Sequence, residues 1–120
     1  MPNYATLNYH TEDELAIVEV LARRIYLHVV EEFREELHDV LSNTTGGVLL
    51  NFGKVSVMNS AGLGVLISLQ DQLQKQGRKL VITSLQPLMQ EIFGRMRLET
   101  LITVAKTPDE GLEILRGGGK

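Results

Sequence analysis

Ser60 is the residue of this chain whose setting most invites chemistry. It lies in "VSVMNSAGLGVLISL", residues 55–69, where an apolar run breaks at Asn-Ser-Ala-Gly and then resumes with helical spacing. A strand that delivers the chain to a helix start accounts for both halves and leaves one hydroxyl at the junction. Two roles suit that hydroxyl. As a cap, its oxygen accepts a hydrogen bond from an unpaired amide of the first turn, a contribution of about 0.5 to 2 kcal/mol. As a phosphoryl acceptor, it would bring roughly 1.5 to 2 negative charges beside free amides and the positive helix end, which the fold can tolerate. A partner docked over the neutral hydroxyl would meet that new charge and its desolvation cost. Ala61, Gly62 and Gly64 keep the surroundings small enough for a modifying enzyme to approach.

The remaining reactive residue types form no comparable constellation. His10 falls in an expected turn, and His28 and His38 stand ten residues apart on one helix without metal-ligand spacing. Glu31, Glu32, Glu35 and Glu36 make the polar half of that helix, and Glu12, Asp13 and Glu14 a turn, placements that serve solubility. "NTTGG" lacks a downstream Gly-Lys-Ser/Thr. "NSAGLGVL" lacks the third glycine of a dinucleotide fingerprint, and no Gly-x-Ser-x-Gly elbow presents a serine. With no cysteine, thiolate catalysis, disulfides and cysteine-based metal sites are excluded. The expectation is a protein that is not an enzyme and holds no cofactor or metal.

Composition limits the partners. A net charge of −3 gives no field to attract nucleic acid or an anionic membrane. No apolar stretch approaches the roughly 18 residues that span a bilayer, and no early segment has secretory character. The reading is a cytoplasmic protein without direct membrane insertion. The 120 residues suit one domain, set at 1–116, with 117–120 as a flexible tail.

The elements that would position Ser60 follow from periodicity. Alternation over residues 4–9 and the β-branched run 15–21 predict a hairpin across "HTEDE". Spacing changes to about 3.6 between Leu27 and Leu41, predicting an amphipathic helix. "VLLNFG" reads as a central strand, the run from Ser60 toward Gln76 as a helix ended by Gly77, and "LVITSL" as the strand completing a right-handed crossover. A short helix at 87–93, a last strand at 101–104 and a helix capped by Thr107 complete the order. The expected architecture is α/β: a mixed sheet of about four or five strands flanked by about four helices. Helices fall largely on one side, so the other face needs some covering, which keeps a homodimer open.

Residues 50–85, "LNFGKVSVMNSAGLGVLISLQDQLQKQGRKLVITSL", resemble the central region of STAS domains, particularly the bacterial anti-sigma factor antagonists. That family places Asp-Ser-Ser-Gly-Leu-Gly or Asp-Ser/Thr-x-Gly at a helix start, and its phosphoacceptor serine falls on Ser60. Gly62, Leu63 and Gly64 match the later motif residues, while Asn59 stands for the usual aspartate and Ala61 for the frequent second serine. Ahead of the motif the chain departs from the family, reading "VLARRIYLH" with Arg23 and Arg24.

The resemblance implies a STAS-like single domain that binds an anti-sigma factor, a serine kinase of the histidine-kinase-like ATPase class, while Ser60 is unphosphorylated. Phosphorylation blocks the exchange, and a metal-dependent serine phosphatase resets it. The implied partner-binding zone comprises Lys54, Ser56, Asn59, Ser60, Ala61, Gly62 and Leu63. Two other binding roles compete: a STAS scaffold subunit of a signalling assembly, and a cytoplasmic accessory subunit of a lipid or anion transporter.

Overall fold

The computed structural model describes residues 4–117. Strands β1 (Leu7–Glu12) and β2 (Leu15–Val20) form the expected hairpin, with a tighter turn than the sequence suggested. Glu12 already pairs with Leu15, so Asp13 and Glu14 alone make the turn, both at positive φ (51° and 68°). That backbone matches the twist of a two-residue hairpin. His10 is therefore a strand residue opposite Ile17, rather than part of the turn.

After β3 (Arg24–Ile25) comes helix α1 (His28–Ser42), then β4 (Val48–Asn51), β5 (Val57–Met58), α2 (Ser60–Lys75) and β6 (Leu80–Thr83). α3 (Pro87–Arg95), β7 (Thr103–Ala105) and α4 (Pro108–Leu115) follow. The main sheet has five strands in the order β1-β2-β4-β6-β7, antiparallel only at the hairpin and parallel elsewhere. β3 and β5 form a separate two-stranded parallel sheet that the sequence reading missed. Two-residue strands carry too little alternation to be read from a window.

Parallel register aligns side chains of alternate residues into two faces. Ala16, Val18, Val48, Leu50, Leu80 and Ile82 form one face and share a core with Phe33 and Leu37 of α1, Leu66 and Leu73 of α2, and Met89 and Phe93 of α3. α4 takes the other face and supplies the covering that the sequence reading left open there. Gly111 sits so close there that a Cβ would stand 2.7 Å from Thr83 Cγ2 and 2.8 Å from Leu49 Cδ1. Thr107 caps α4 as expected, accepting from the Glu110 N–H at 3.2 Å. Of the expected tail, Gly117 closes α4 with φ 86° and an N–H bond to the Ile114 carbonyl, and 118–120 lie outside the described residues. The last strand begins at Thr103 rather than Leu101, because Arg97 turns left-handed (φ 54°) into a short 3-10 turn that leaves Leu101 exposed.

The segment before β1 is strapped to α1 by acids. Glu36 accepts from Ala5 N (2.8 Å), Thr6 N (2.8 Å) and Thr6 Oγ1 (2.6 Å), and the Tyr4 hydroxyl donates to the Asp39 carboxylate. Burial first, then the hydrogen bond to Asp39 and its charge, hold the Tyr4 phenol above its ordinary pKa. A raised folded pKa favours the protonated folded state, so this stabilisation is present below the unfolded phenol's value of about 10 and is lost as pH rises above it. Tyr4→Phe is expected to flatten the alkaline limb of stability against pH, measured by denaturant unfolding on both sides of that value.

Candidate functional site at the start of the second helix

The site begins with a backbone handover. Val57 and Met58 pair in parallel with Arg24 and Ile25, and the Asn59 N–H donates to the Ile25 carbonyl at 3.1 Å, ending the small sheet. Asn59 is extended (φ −83°, ψ 177°) and the helix starts at the next residue. Asn59 is the cap: its Oδ1 accepts from the Gly62 N–H at 2.9 Å, and its carbonyl from the Leu63 N–H at 3.0 Å. Of the two roles weighed for Ser60, capping therefore falls to its neighbour. Asn and Ser are both good caps, and the one that remains extended takes the role.

Ser60 is the first helical residue, exposed, and its hydroxyl makes no hydrogen bond among the described residues. Ala61 and Gly64 beside it are exposed as well, and a Cβ at Gly64 would meet nothing within 4 Å. A bare hydroxyl thus stands on a smooth helix start, whose first turn carries no acidic residue. Ser60→Ala is expected to change stability by less than about 0.5 kcal/mol, the range of surface substitutions. Asn59→Ala should cost about 1 kcal/mol through the lost cap. Parallel denaturant titrations of the two variants check the contrast, and equal losses would return the cap to Ser60.

The other residues of the expected zone divide by depth. Gly62 and Leu63 are buried, so they support the surface from behind instead of forming it. A Cβ at Gly62 would lie 2.7 Å from Met58 Cγ and 3.3 Å from Ile25 Cγ2, so glycine lets α2 approach the small sheet. Ser56 is tied back, its Oγ donating to the Arg23 carbonyl at 3.0 Å. Lys54 is exposed with its Nζ 3.5 Å from Glu19 Oε2.

Sequence reasoning noted Arg23 and Arg24 but missed that their segment pairs with β5. β3 runs beside β5 and ends at Ile25, whose carbonyl accepts from the Asn59 N–H, and Tyr26 and Leu27 follow it into α1. Leu27 is 76% exposed, at φ 55° and ψ −138°, and contributes no side-chain cap to α1. A large apolar side chain held outward on strained backbone is unusual for a merely structural linker. The signal was present as "RRIYLH", bulky residues before a helix with no capping side chain among them.

Around Ser60 the geometry leaves Asn59, Ser60, Ala61 and Gly64 exposed together at the helix start. Among the described residues, no group of three or more His, Cys, Asp or Glu could hold a metal ion, and no helix is long and apolar enough to cross a membrane. An open hollow of about 290 Å³ lies elsewhere, lined by residues including Leu85, Gln90, Glu99 and Lys106. The class defined by this arrangement is an α/β domain with an exposed serine at a helix start.

The family follows from comparison. The STAS domain model matches residues 7–111, and the chain belongs to that family. Its fold is also that of an anti-sigma factor antagonist from Mycobacterium paratuberculosis, 17% identical, with a TM-score of 0.83 over 92% of this chain and 93% of that one. RsbS from Moorella thermoacetica is 19% identical, with a TM-score of 0.76 over 96% and 98% of the two chains. The phosphorylated form of the Bacillus cell fate determinant SpoIIAA is 18% identical, with a TM-score of 0.66 over 89% and 96%.

Proposed function

We propose that this protein is an anti-sigma factor antagonist of the cytoplasm, working as a phosphorylation-controlled binding switch. While Ser60 carries a free hydroxyl, the surface of Asn59, Ser60, Ala61, Ser56 and Lys54 binds an anti-sigma factor that is itself a serine kinase of the histidine-kinase-like ATPase class. The kinase transfers the γ-phosphoryl group of ATP to Ser60 Oγ. An O–P bond forms, ADP leaves and the hydroxyl proton is released. A metal-dependent serine phosphatase hydrolyses the ester and restores the binding form. The metal and the nucleotide belong to those enzymes.

One observation carries this reading: Asn59, and not Ser60, caps α2, which leaves an exposed hydroxyl with no structural duty at a helix N-terminus. A phosphoryl group placed there disturbs no bond the fold depends on, while it alters the surface a partner meets. That SpoIIAA, on a shared fold, has a phosphorylated form supports the reading of a phosphorylation-controlled protein.

Affinity enrichment from native lysate tests it, with unmodified protein and protein fully phosphorylated at Ser60 as paired baits. An ATPase-like anti-sigma factor captured far more strongly by the unmodified bait is the expected result. Equal capture by both baits, or capture only of transporter subunits or other STAS proteins, would overturn the switch in favour of a constitutive scaffold or accessory domain.

A further inference from the structure

Two guanidinium groups lie at the start of the strand that pairs with β5, Arg23 just before β3 and Arg24 as its first residue, and the fold uses neither. Arg23 and Arg24 are exposed, and among the described residues their side chains make no ion pair or hydrogen bond. By contrast, Lys54, Arg34, Arg95 and Arg116 each face a carboxylate. Backbone bonds hold the segment instead: the Arg23 carbonyl accepts from Ser56 N at 2.8 Å and Ser56 Oγ at 3.0 Å, and Arg24 pairs with Val57. Ile25 on the same strand is buried, so alternation sets Arg24 on the outward side.

Reach is sufficient. Val57, opposite Arg24 across about 4.8 Å, precedes Ser60 by three residues of near-extended chain, about 10 Å, so the Cα atoms of Arg24 and Ser60 are about 11 Å apart. An arginine leaning toward the helix start and the side chain of a phosphoserine would together bridge that span. The other charged or titratable groups nearest in sequence to the two strands are Tyr26, His28, Glu31 and Glu32 after β3, and Lys54 before β5. Glu31 is engaged by Arg34 and Lys54 by Glu19, while the first turn of α2 has no acid at all.

The geometry points to Arg24, assisted by Arg23, as an intramolecular receiver for a phosphoryl group on Ser60. This deepens the switch reading and rests on it. Arginine suits the role because its planar fork of donors matches phosphate oxygens and stays charged at every working pH. Phosphorylation then alters the surface twice: it adds charge at Ser60, and it withdraws from solvent the cations that an acidic rim on a partner would meet.

The test uses the full chain with phosphoserine installed at position 60 during translation and no kinase present. Phosphorus NMR follows the second ionisation of the phosphate, which for an unassisted phosphoserine lies near about pH 6. A neighbouring cation favours the dianion and lowers that value. The wild-type value is expected below 6, with Arg24→Gln raising it by about 0.5 to 1 pH unit and R23Q/R24Q raising it further. Arg95→Gln, removing a remote cation on α3, should leave it in place. Identical titrations of wild type and R23Q/R24Q, with both proteins folded by circular dichroism, would overturn the receiver. Failure of the switch has a separate signature: a shifted titration with unchanged partner affinity sustains the receiver and removes the switch. A partner that discriminates phosphorylation when titrations do not differ removes the receiver alone.

Discussion

Phosphorylation of Ser60 is expected to weaken the complex with the anti-sigma kinase by about 100-fold, equivalent to about 3 kcal/mol. The hydroxyl is exposed next to exposed Ala61 at the first position of α2, so a partner docked as proposed would cover it. A phosphate there would be desolvated against a surface shaped around a neutral group, and poorly compensated charge in an interface costs several kcal/mol. The first-turn amides of α2 stabilise the modified protein before it binds, which leaves them less to offer afterwards. Calorimetric titration of the captured kinase with the two protein forms measures the ratio, and a change below threefold would refute the mechanism. Ser60→Ala should retain most of the affinity, because the variant removes an exposed hydroxyl without adding charge.

Much of this arrangement was legible because the chain punctuates itself strongly. The spacing of Phe33, Leu37, Val40 and Leu41 fixes the inner face of α1, and Gly77, at φ 71°, ends α2 as its place after "QLQKQ" suggests. Thr107, Pro108 and Glu110 mark the start of α4 correctly. The identity of the cap was not legible. "NS" offers two adjacent residues able to cap, and the choice depends on the β3–β5 pairing that holds Asn59 extended. That pairing joins residues over thirty positions apart through strands of two residues, beyond the reach of local pattern.

Depth was the second hidden quantity. Gly62 and Leu63 belong to the motif, yet the helix turns both inward, one against Met58 and Ile25 and the other into the core. Motif spacing identified the helix start without saying which of its faces meets solvent. The same holds for α4. Gly111 weakens a helix interior by propensity, and its place becomes intelligible only as the point where α4 touches Leu49 and Thr83. A helix on that face replaces part of the covering that a second copy would otherwise have to supply.

Glu36→Ala is expected to be the most destabilising substitution considered, at about 3 kcal/mol, although Glu36 reads in sequence as one member of a solvated acidic run. Its carboxylate accepts three hydrogen bonds at 2.6 to 2.8 Å from Ala5 and Thr6. Thr6 is buried, so alanine at 36 would leave its N–H and hydroxyl without their acceptor and with little access to water. Each such orphan costs about 1 to 3 kcal/mol, and bonds to a charged acceptor lie toward the upper end. The Thr6 carbonyl still accepts from Leu21 and Ala22, so the segment stays anchored at one end and cannot turn outward to recover hydration without breaking the end of the hairpin. Glu36→Gln keeps one good acceptor and should lose less. Thr6→Val combined with Glu36→Ala should cost less than the two single losses summed, because the orphaned hydroxyl is gone. A double-mutant cycle in denaturant measures this coupling, and additive losses would show that Glu36 acts through helix solubility instead of the strap. At about 4 °C per kcal/mol for a chain of this size, Glu36→Ala alone should lower the melting temperature by about 12 °C.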